Sequence, residues 1–178
     1  MRCTVLGAGV SGLTCAVRLL ESGHEVEVIS DKFSPETVSD VAAALWYPFL
    51  TAPAERADEW GRVTYLELER LATEAPESGV TIRDGREYLR EVTDLPSWKD
   101  DISHFRVLDV SEIPAGYAFG WEFRSPIIEM PKYMPWLRQR IESGGGTFRQ
   151  LFVNDLVEVG GDVIVNCVGL GALSLIHI

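Results

Sequence analysis

Apolar residues along the first thirty positions change period twice. Cys3 to Leu6 is a short apolar run ending at glycines, the pattern of a buried strand. Val10, Leu13, Ala16, Val17 and Leu20 then recur at helical spacing, and Gly23 supplies a helix stop. Glu25 to Ser30 (EVEVIS) alternates and is rich in β-branched residues, so a second strand is expected there. Strand, glycine turn, helix and strand in this order make a βαβ unit.

Downstream the pattern is mixed. A Ser/Pro/Thr-containing stretch after Asp31 leads to the apolar run Val41 to Trp46, and helical spacing of Val63, Leu66, Leu68 and Leu71 predicts a helix over Asp58 to Ala75. Strands are expected at Tyr88 to Val92, Phe105 to Leu108, Tyr117 to Phe123 and Pro126 to Met130. A helix from Pro131 to Ser143 ends at three consecutive glycines, and Asp162 to Cys167 (DVIVNC) has the signature of a buried strand. One βαβ unit, a long mixed insertion and a late apolar strand suit a domain interrupted by another. The expected division is a Rossmann-type segment over 1–80, an α+β insertion over 81–130, a return to the first domain over 131–172, and a tail over 173–178.

That tail, LSLIHI, is what the transposon-end adapter of sequencing libraries encodes in one frame. A reading frame that has run into adapter is therefore expected there, with a short apolar tail as the alternative, and the underlying nucleotide sequence decides between them.

Composition narrows the classes. Of the 178 residues, 46% are hydrophobic, enough for a sizeable core. The formal net charge of −11 lacks the basic face that a general nucleic-acid binder needs. No apolar stretch reaches the length of a membrane span. Three cysteines, Cys3, Cys15 and Cys167, show no paired spacing, so neither a disulfide framework nor a zinc pattern is expected. With only His24, His104 and His177 as histidines, no metal site or Ser-His-Asp triad is expected. Trp60, Trp98, Trp121 and Trp136 read as core or interface aromatics, and a cytoplasmic protein is expected.

Candidate chemistry sits in the first turn. Gly7-Ala8-Gly9-Val10-Ser11-Gly12 fits G-x-G-x-x-G between a strand and a helix, and Asp31 follows the second strand. Gly7 permits the tight turn, Gly9 lets the backbone approach a pyrophosphate, and Gly12 lets the helix pack closely. The helix N-terminus favours phosphate, and a carboxylate at Asp31 accepts hydrogen bonds from ribose hydroxyls. The motif fits NAD and FAD alike. The small residues Ala16 and Gly23 lean towards flavin.

Three further strings carry a resemblance: Asp40 to Pro48 (DVAAALWYP), Pro96 to Asp100 (PSWKD), and Asp162 to Gly169 (DVIVNCVG). In order and spacing the chain from Met1 to Ala172 resembles the D-amino-acid oxidase family, which includes D-aspartate oxidases. The resemblance implies an FAD-binding Rossmann-like domain interrupted by a mixed α+β substrate domain, with the C-terminal part of the family's fold missing. It places Ala8 to Gly12 at the FAD pyrophosphate and Asp31 at the adenosine ribose. Thr37, Val38 and Ser39 fall where the family contacts the phosphate and ribityl portion, Val38 through its backbone alone. Ala43, Ala44, Leu45 and Trp46 occupy the stretch past the isoalloxazine ring, although small residues there also suit the start of a buried apolar helix. Val153 matches a backbone contact to adenine. Cys167, Val168 and Gly169 return to the cofactor, with Val168 in place of the family's more frequent Thr.

The implied reaction is oxidative deamination of a D-amino acid to a 2-oxo acid and ammonia, with dioxygen reduced to hydrogen peroxide. The family's Arg and Tyr substrate clamp lies downstream of Gly169, so no catalytic residue is assigned and these residues alone are expected to be inactive. Nucleic-acid and membrane partners are not expected. A homodimer of the full-length protein and, in a eukaryote, a peroxisomal address stay open, as does the preferred amino acid. An NAD(P)-dependent dehydrogenase and a non-catalytic dinucleotide-binding module are the alternatives.

Overall fold

The computed structural model describes residues 1–48 and 52–175. The chain divides into two compact units, residues 1–43 with 130–178, and residues 44–129.

The first unit is a parallel sheet flanked by helices. β1 (Arg2–Leu6) leads through α1 (Val10–Glu21) to β2 (Glu25–Ser30), within a residue or two of the expected bounds. Gly23, at φ +78°, donates its N–H to the Leu20 carbonyl at 2.9 Å and turns the chain out of α1. The first unit resumes after residue 129 with α3 (Met130–Ser143), which packs on α1 and buries Tyr133, Met134, Leu137 and Ile141. β6 (Thr147–Gln150) and β7 (Val163–Asn166) complete a sheet of order β6-β2-β1-β7, every pair parallel. β6 is absent from the sequence expectation: TFRQ carries one apolar residue and becomes a strand by pairing with β2. Leu6, Ile29, Val159 and Leu175 form a buried cluster of this unit. The expected tail is described as far as Leu175, in α4 (Ala172–Leu175), and residues 176–178, His177 among them, lie outside the described residues.

The second unit pairs α2 (Ala54–Glu74) with an antiparallel sheet in which β5 (Phe119–Ile128) lies between β3 (Val80–Leu89) and β4 (Phe105–Val107). Two expectations change here. The strand placed at Tyr88 to Val92 is the end of the longer β3 (Val80–Leu89), whose first half pairs with the far end of β5. The separate strands at Tyr117–Phe123 and Pro126–Met130 are one, β5 (Phe119–Ile128), with β4 (Phe105–Val107) along its other side. The expected boundary at residue 80 moves to Ala43–Ala44, because α2 packs on β3 and β5.

Pro126 explains why β5 reads as interrupted. Trp46 donates its backbone N–H to the Pro126 carbonyl at 3.0 Å, and Ile128 donates to Ala44 at 2.9 Å, so residues 44–46 pair with the strand. Proline has no N–H to return to the Trp46 carbonyl. The buried Ser125 hydroxyl donates to that carbonyl instead, at 2.6 Å. Trp46 is thereby held in an aromatic core with Tyr65 and Trp98, at ring-centroid distances of 5.0 and 5.8 Å. Of the tryptophans expected in the core or at an interface, Trp98 and Trp121 are buried and Trp136 stacks on Tyr133, whereas Trp60 is 60% exposed and lies outside the core. Replacing Ser125 by Ala leaves a buried carbonyl without its donor. Urea denaturation is expected to show a loss of about 1–3 kcal/mol.

Candidate functional site

The carboxyl ends of the parallel strands carry the site. Beyond β1 the sheet extends to β2 and β6 on one side and to β7 on the other, so the strand order reverses at the β1/β7 boundary. Open parallel sheets bind ligands at such a switch point. The Gly7–Gly12 turn and the Cys167–Gly169 segment flank it.

Three close approaches build the cradle. Gly7, at φ +95°, donates its N–H to Ile29 at 2.8 Å, while Cys167 donates to the Leu6 carbonyl at 2.8 Å. A Cβ on Gly7 would stand 2.5 Å from the Cys167 carbonyl oxygen, and one on Gly12 would stand 1.9 Å from the Gly7 carbonyl oxygen. A Cβ on Gly9 would lie 3.0 Å from the Ser39 hydroxyl. Each glycine of the motif therefore leaves space that backbone or a polar side chain lines, as a dinucleotide cradle requires. Ala8 is buried beside it, and Val10 and Ser11 open α1.

Ser39 has a definite place. Gly9 has no side chain to cap α1, and the Ser39 hydroxyl accepts the Val10 N–H at 2.9 Å from outside the helix. Its own proton is then available to a phosphate oxygen. Asp40 fixes the loop: it accepts hydrogen bonds from the Ser34 hydroxyl, and from the Thr37 N–H at 2.9 Å and hydroxyl at 2.6 Å. Burial opposes ionisation of Asp40, but the bonds from Ser34 and Thr37 outweigh it and hold the carboxyl below its ordinary range. Thr37 thus spends its hydroxyl on Asp40, and Val38 turns its side chain outward.

The remaining expected residues separate into two groups. Asp31 is exposed just past β2, where its carbonyl accepts the Gln150 amide at 2.9 Å, and half-buried Val153 follows β6. Val168 and Gly169, the latter at φ +60°, turn the chain away from β7. All of these lie along the carboxyl edge of one sheet. Ala43 closes the first segment of that unit, whereas Ala44, Leu45 and Trp46 belong to the other. The Trp46 backbone N–H goes to Pro126 and its indole N–H to Gly61 at 2.9 Å, so both its donors are structural.

Sequence reasoning missed a pocket of about 400 Å³, counting its solvent-open mouth, beside Ala8. α3 contributes Met134, Pro135 and Arg138 to it, and Phe33 and Phe148 face them. The Arg138 guanidinium lies over the Phe148 ring at 4.5 Å and the Phe33 ring at 5.5 Å. Phe148 belongs to the unexpected β6, and the lone apolar residue in TFRQ was its sole signal. Burial, with the neighbouring Cys15, pushes the Cys167 thiol up to about 11. Among the described residues no three His, Cys, Asp or Glu side chains group to hold a metal ion. His104 instead joins Glu122 at 3.4 Å within the Arg86, Arg106 and Glu112 ion-pair network.

A family model described as FAD dependent oxidoreductase matches residues 2–177. Over 177 residues the chain is 39% identical to a D-amino-acid oxidase of Rubrobacter xylanophilus, covering 98% of this chain and 54% of that protein. It is 36% identical over 186 residues to the human D-aspartate oxidase, with the same two coverages of 98% and 54%. The chain thus spans about half the length of the curated relatives it matches. Among solved structures, an L-amino acid deaminase from Proteus vulgaris superposes with a TM-score of 0.77 at 13% identity, over 98% of this chain and 55% of that one. An L-proline dehydrogenase from P. horikoshii gives 0.71 at 16% identity, over 98% and 54%. At these identities the two structures establish a shared fold.

Two substitutions test the loop. Ser39→Ala removes the acceptor of the first helical N–H and is expected to cost about 1 kcal/mol in chemical denaturation. A carboxyl held below its ordinary value stabilises the fold above that value and ceases to do so as pH falls through the lowered one. Wild type is therefore expected to exceed Asp40→Asn in stability at pH 7, with the gap closing as pH drops below 3.8. Denaturation midpoints across that range measure it.

Proposed function

The chain belongs to the DAO family of FAD-dependent oxidoreductases, and we propose that it carries the cofactor-binding part of an oxidase that deaminates D-amino acids. The observation that carries this reading is the switch-point cradle, where Gly7, Gly9 and Gly12 keep clear the space that a Cβ would fill. The 39% identity to a D-amino-acid oxidase supports the substrate class.

In this reading the cradle would hold FAD, which would supply the redox chemistry for oxidising a D-amino acid to an imino acid with dioxygen as the final electron acceptor. The chain's own residues bind and orient. The turn from Ala8 to Gly12 faces the pyrophosphate with the N-terminal end of α1, adding the positive end of the helix dipole. Ser39 accepts from Val10 and donates its proton to the same anion, so one hydroxyl links helix and ligand. Asp31 accepts from the ribose hydroxyls, and the backbone of Val153 meets the adenine. Cys167 to Gly169 close the cradle from the β7 side. Thr37 and Val38 contribute backbone only, since one hydroxyl is spent on Asp40 and the other residue has none. Ala43, Ala44, Leu45 and Trp46 form the stretch that would run past the flavin ring, anchored by the bonds of Trp46 to Pro126 and Gly61.

Protein expressed from the complete reading frame of the gene is expected to be yellow, with flavin absorbance bands, and to release hydrogen peroxide from D- but not L-amino acids. Asp31→Ala is expected to weaken FAD binding roughly tenfold or more, the cost of losing hydrogen bonds to a charged group. A colourless protein reducing a nicotinamide cofactor would establish the dehydrogenase instead. Flavin binding without oxygen consumption would establish the non-catalytic module.

A further inference from the structure

The pocket between α3 and the chain after β2 has no part in the oxidase reading. With its mouth it measures about 400 Å³, inside the range of about 300–1,000 Å³ in which small-molecule sites fall. Its walls belong to the first unit alone. Ala8 is the wall it shares with the glycine turn, whereas Asp31 and Val153, the residues read as adenosine contacts, lie outside it. The pocket is thus a second site and not the far end of the cradle. Its chemistry is uneven. Phe33 and Phe148 meet edge to face with 5.7 Å between centroids, and Met134 and Pro135 add apolar surface from α3. Among the described residues its polar walls are Ser34 and Arg138. The Ser34 hydroxyl spends its proton on Asp40. Arg138 is less committed. Its Nε donates to Glu142 at 2.9 Å, an exposed pair one helical turn apart and of little net strength. Among the described residues its two Nη groups have no acceptor. The Phe148 and Phe33 rings, 4.5 and 5.5 Å from the guanidinium, keep that group at the pocket.

We propose that this pocket binds a small aromatic carboxylate, its ring against Phe33, Phe148 and Met134 and its carboxylate on the Nη groups of Arg138. Aromatic rings favour edge-to-face and offset contacts with one another, and a methionine sulfur adds a further favourable contact. The two Nη groups form a planar fork that pairs with both oxygens of a carboxylate. A guanidinium already held by two rings loses little freedom when the ligand arrives. The alternatives fit less well. A cationic ligand meets the charge of Arg138, and a neutral aromatic leaves the fork without an acceptor. An occupant also lies against Ser34, whose bond to Asp40 steadies the loop that brings Ser39 to the Val10 N–H. The second site therefore shares a wall with the loop that caps α1.

The methionines give a direct readout. The sequence holds three, Met1, Met130 and Met134, and of these Met134 lines the pocket. Phenylacetate is titrated into the 178-residue chain labelled at its methionine methyl groups, and the methyl signals are followed by NMR, with Met134→Leu assigning the signal of interest. The expected result is a saturating shift of the Met134 methyl while Met1 stays in place. Phenylacetamide, which keeps the shape and lacks the charge, is expected to bind at least about tenfold more weakly, the loss of a charge-assisted pair. Arg138→Gln is expected to weaken phenylacetate by the same factor and to bring the acid and the amide to equal affinity. Circular dichroism checks that this variant folds, and where it does not, the comparison of acid with amide on the wild type decides. A Met134 signal unmoved by millimolar phenylacetate would overturn the proposal. So would equal affinity of acid and amide for the wild type, or an acid affinity that Arg138→Gln leaves unchanged. No arm uses flavin, a D-amino acid or turnover, so the outcome is independent of the oxidase reading.

Discussion

Everything in the cradle depends on backbone meeting backbone without side chains between. The Gly7 carbonyl lies where a Cβ on Gly12 would sit, and the Cys167 carbonyl lies where a Cβ on Gly7 would sit. Strand β1 is thus held on one flank by β2 and on the other by β7 while its own turn presses on α1. Larger residues at either glycine would have to push the helix off the sheet or β7 off β1. Both movements would open the switch point that gives a ligand its place. The glycines are a packing requirement first, and the binding surface follows from it.

The helix N-terminus shows how a second layer completes that surface. A glycine at the N-cap suits close approach of a phosphate but leaves the first helical N–H unsatisfied. Ser39 supplies the missing acceptor from twenty-nine positions away, and Asp40 holds the loop that delivers it by gathering three donors from Ser34 and Thr37. Two needs that conflict at one residue are divided between two: Gly9 gives room, and Ser39 gives the hydrogen bond.

Legibility in the sequence follows how local each cause is. β1, α1 and β2 are set by their own periodicity and by glycines within thirty residues, and their bounds are readable nearly to the residue. β6 is made by its neighbour, since TFRQ has no strand pattern of its own, and the pocket that Phe148 lines went unseen with it. β5 was read as two strands because proline ordinarily ends one; the hydroxyl of Ser125, which replaces the missing donor, is a tertiary fact. The family strings name segments, and the division of labour inside them comes from tertiary contacts. The Thr37 hydroxyl goes to Asp40, and Trp46 packs into the aromatic core.

The interrupted order of the chain raises a cost that the insertion itself lowers. β1 must pair with β7, yet their partners, such as Cys3 and Val163, are far apart in sequence, and closing long loops slows folding and spends entropy. The insertion is pinned at its neck: Ala44, its first residue, accepts the Ile128 N–H at 2.9 Å, and Leu45 bridges Ile127. Once that neck forms, the chain leaves and re-enters the first unit at neighbouring residues, and the effective loop between β2 and α3 becomes short. The Ser125–Trp46 bond holds the neck, because it completes the residue pair in which proline removed a donor. A single hydroxyl of the second unit therefore ties together the two ends of the insertion.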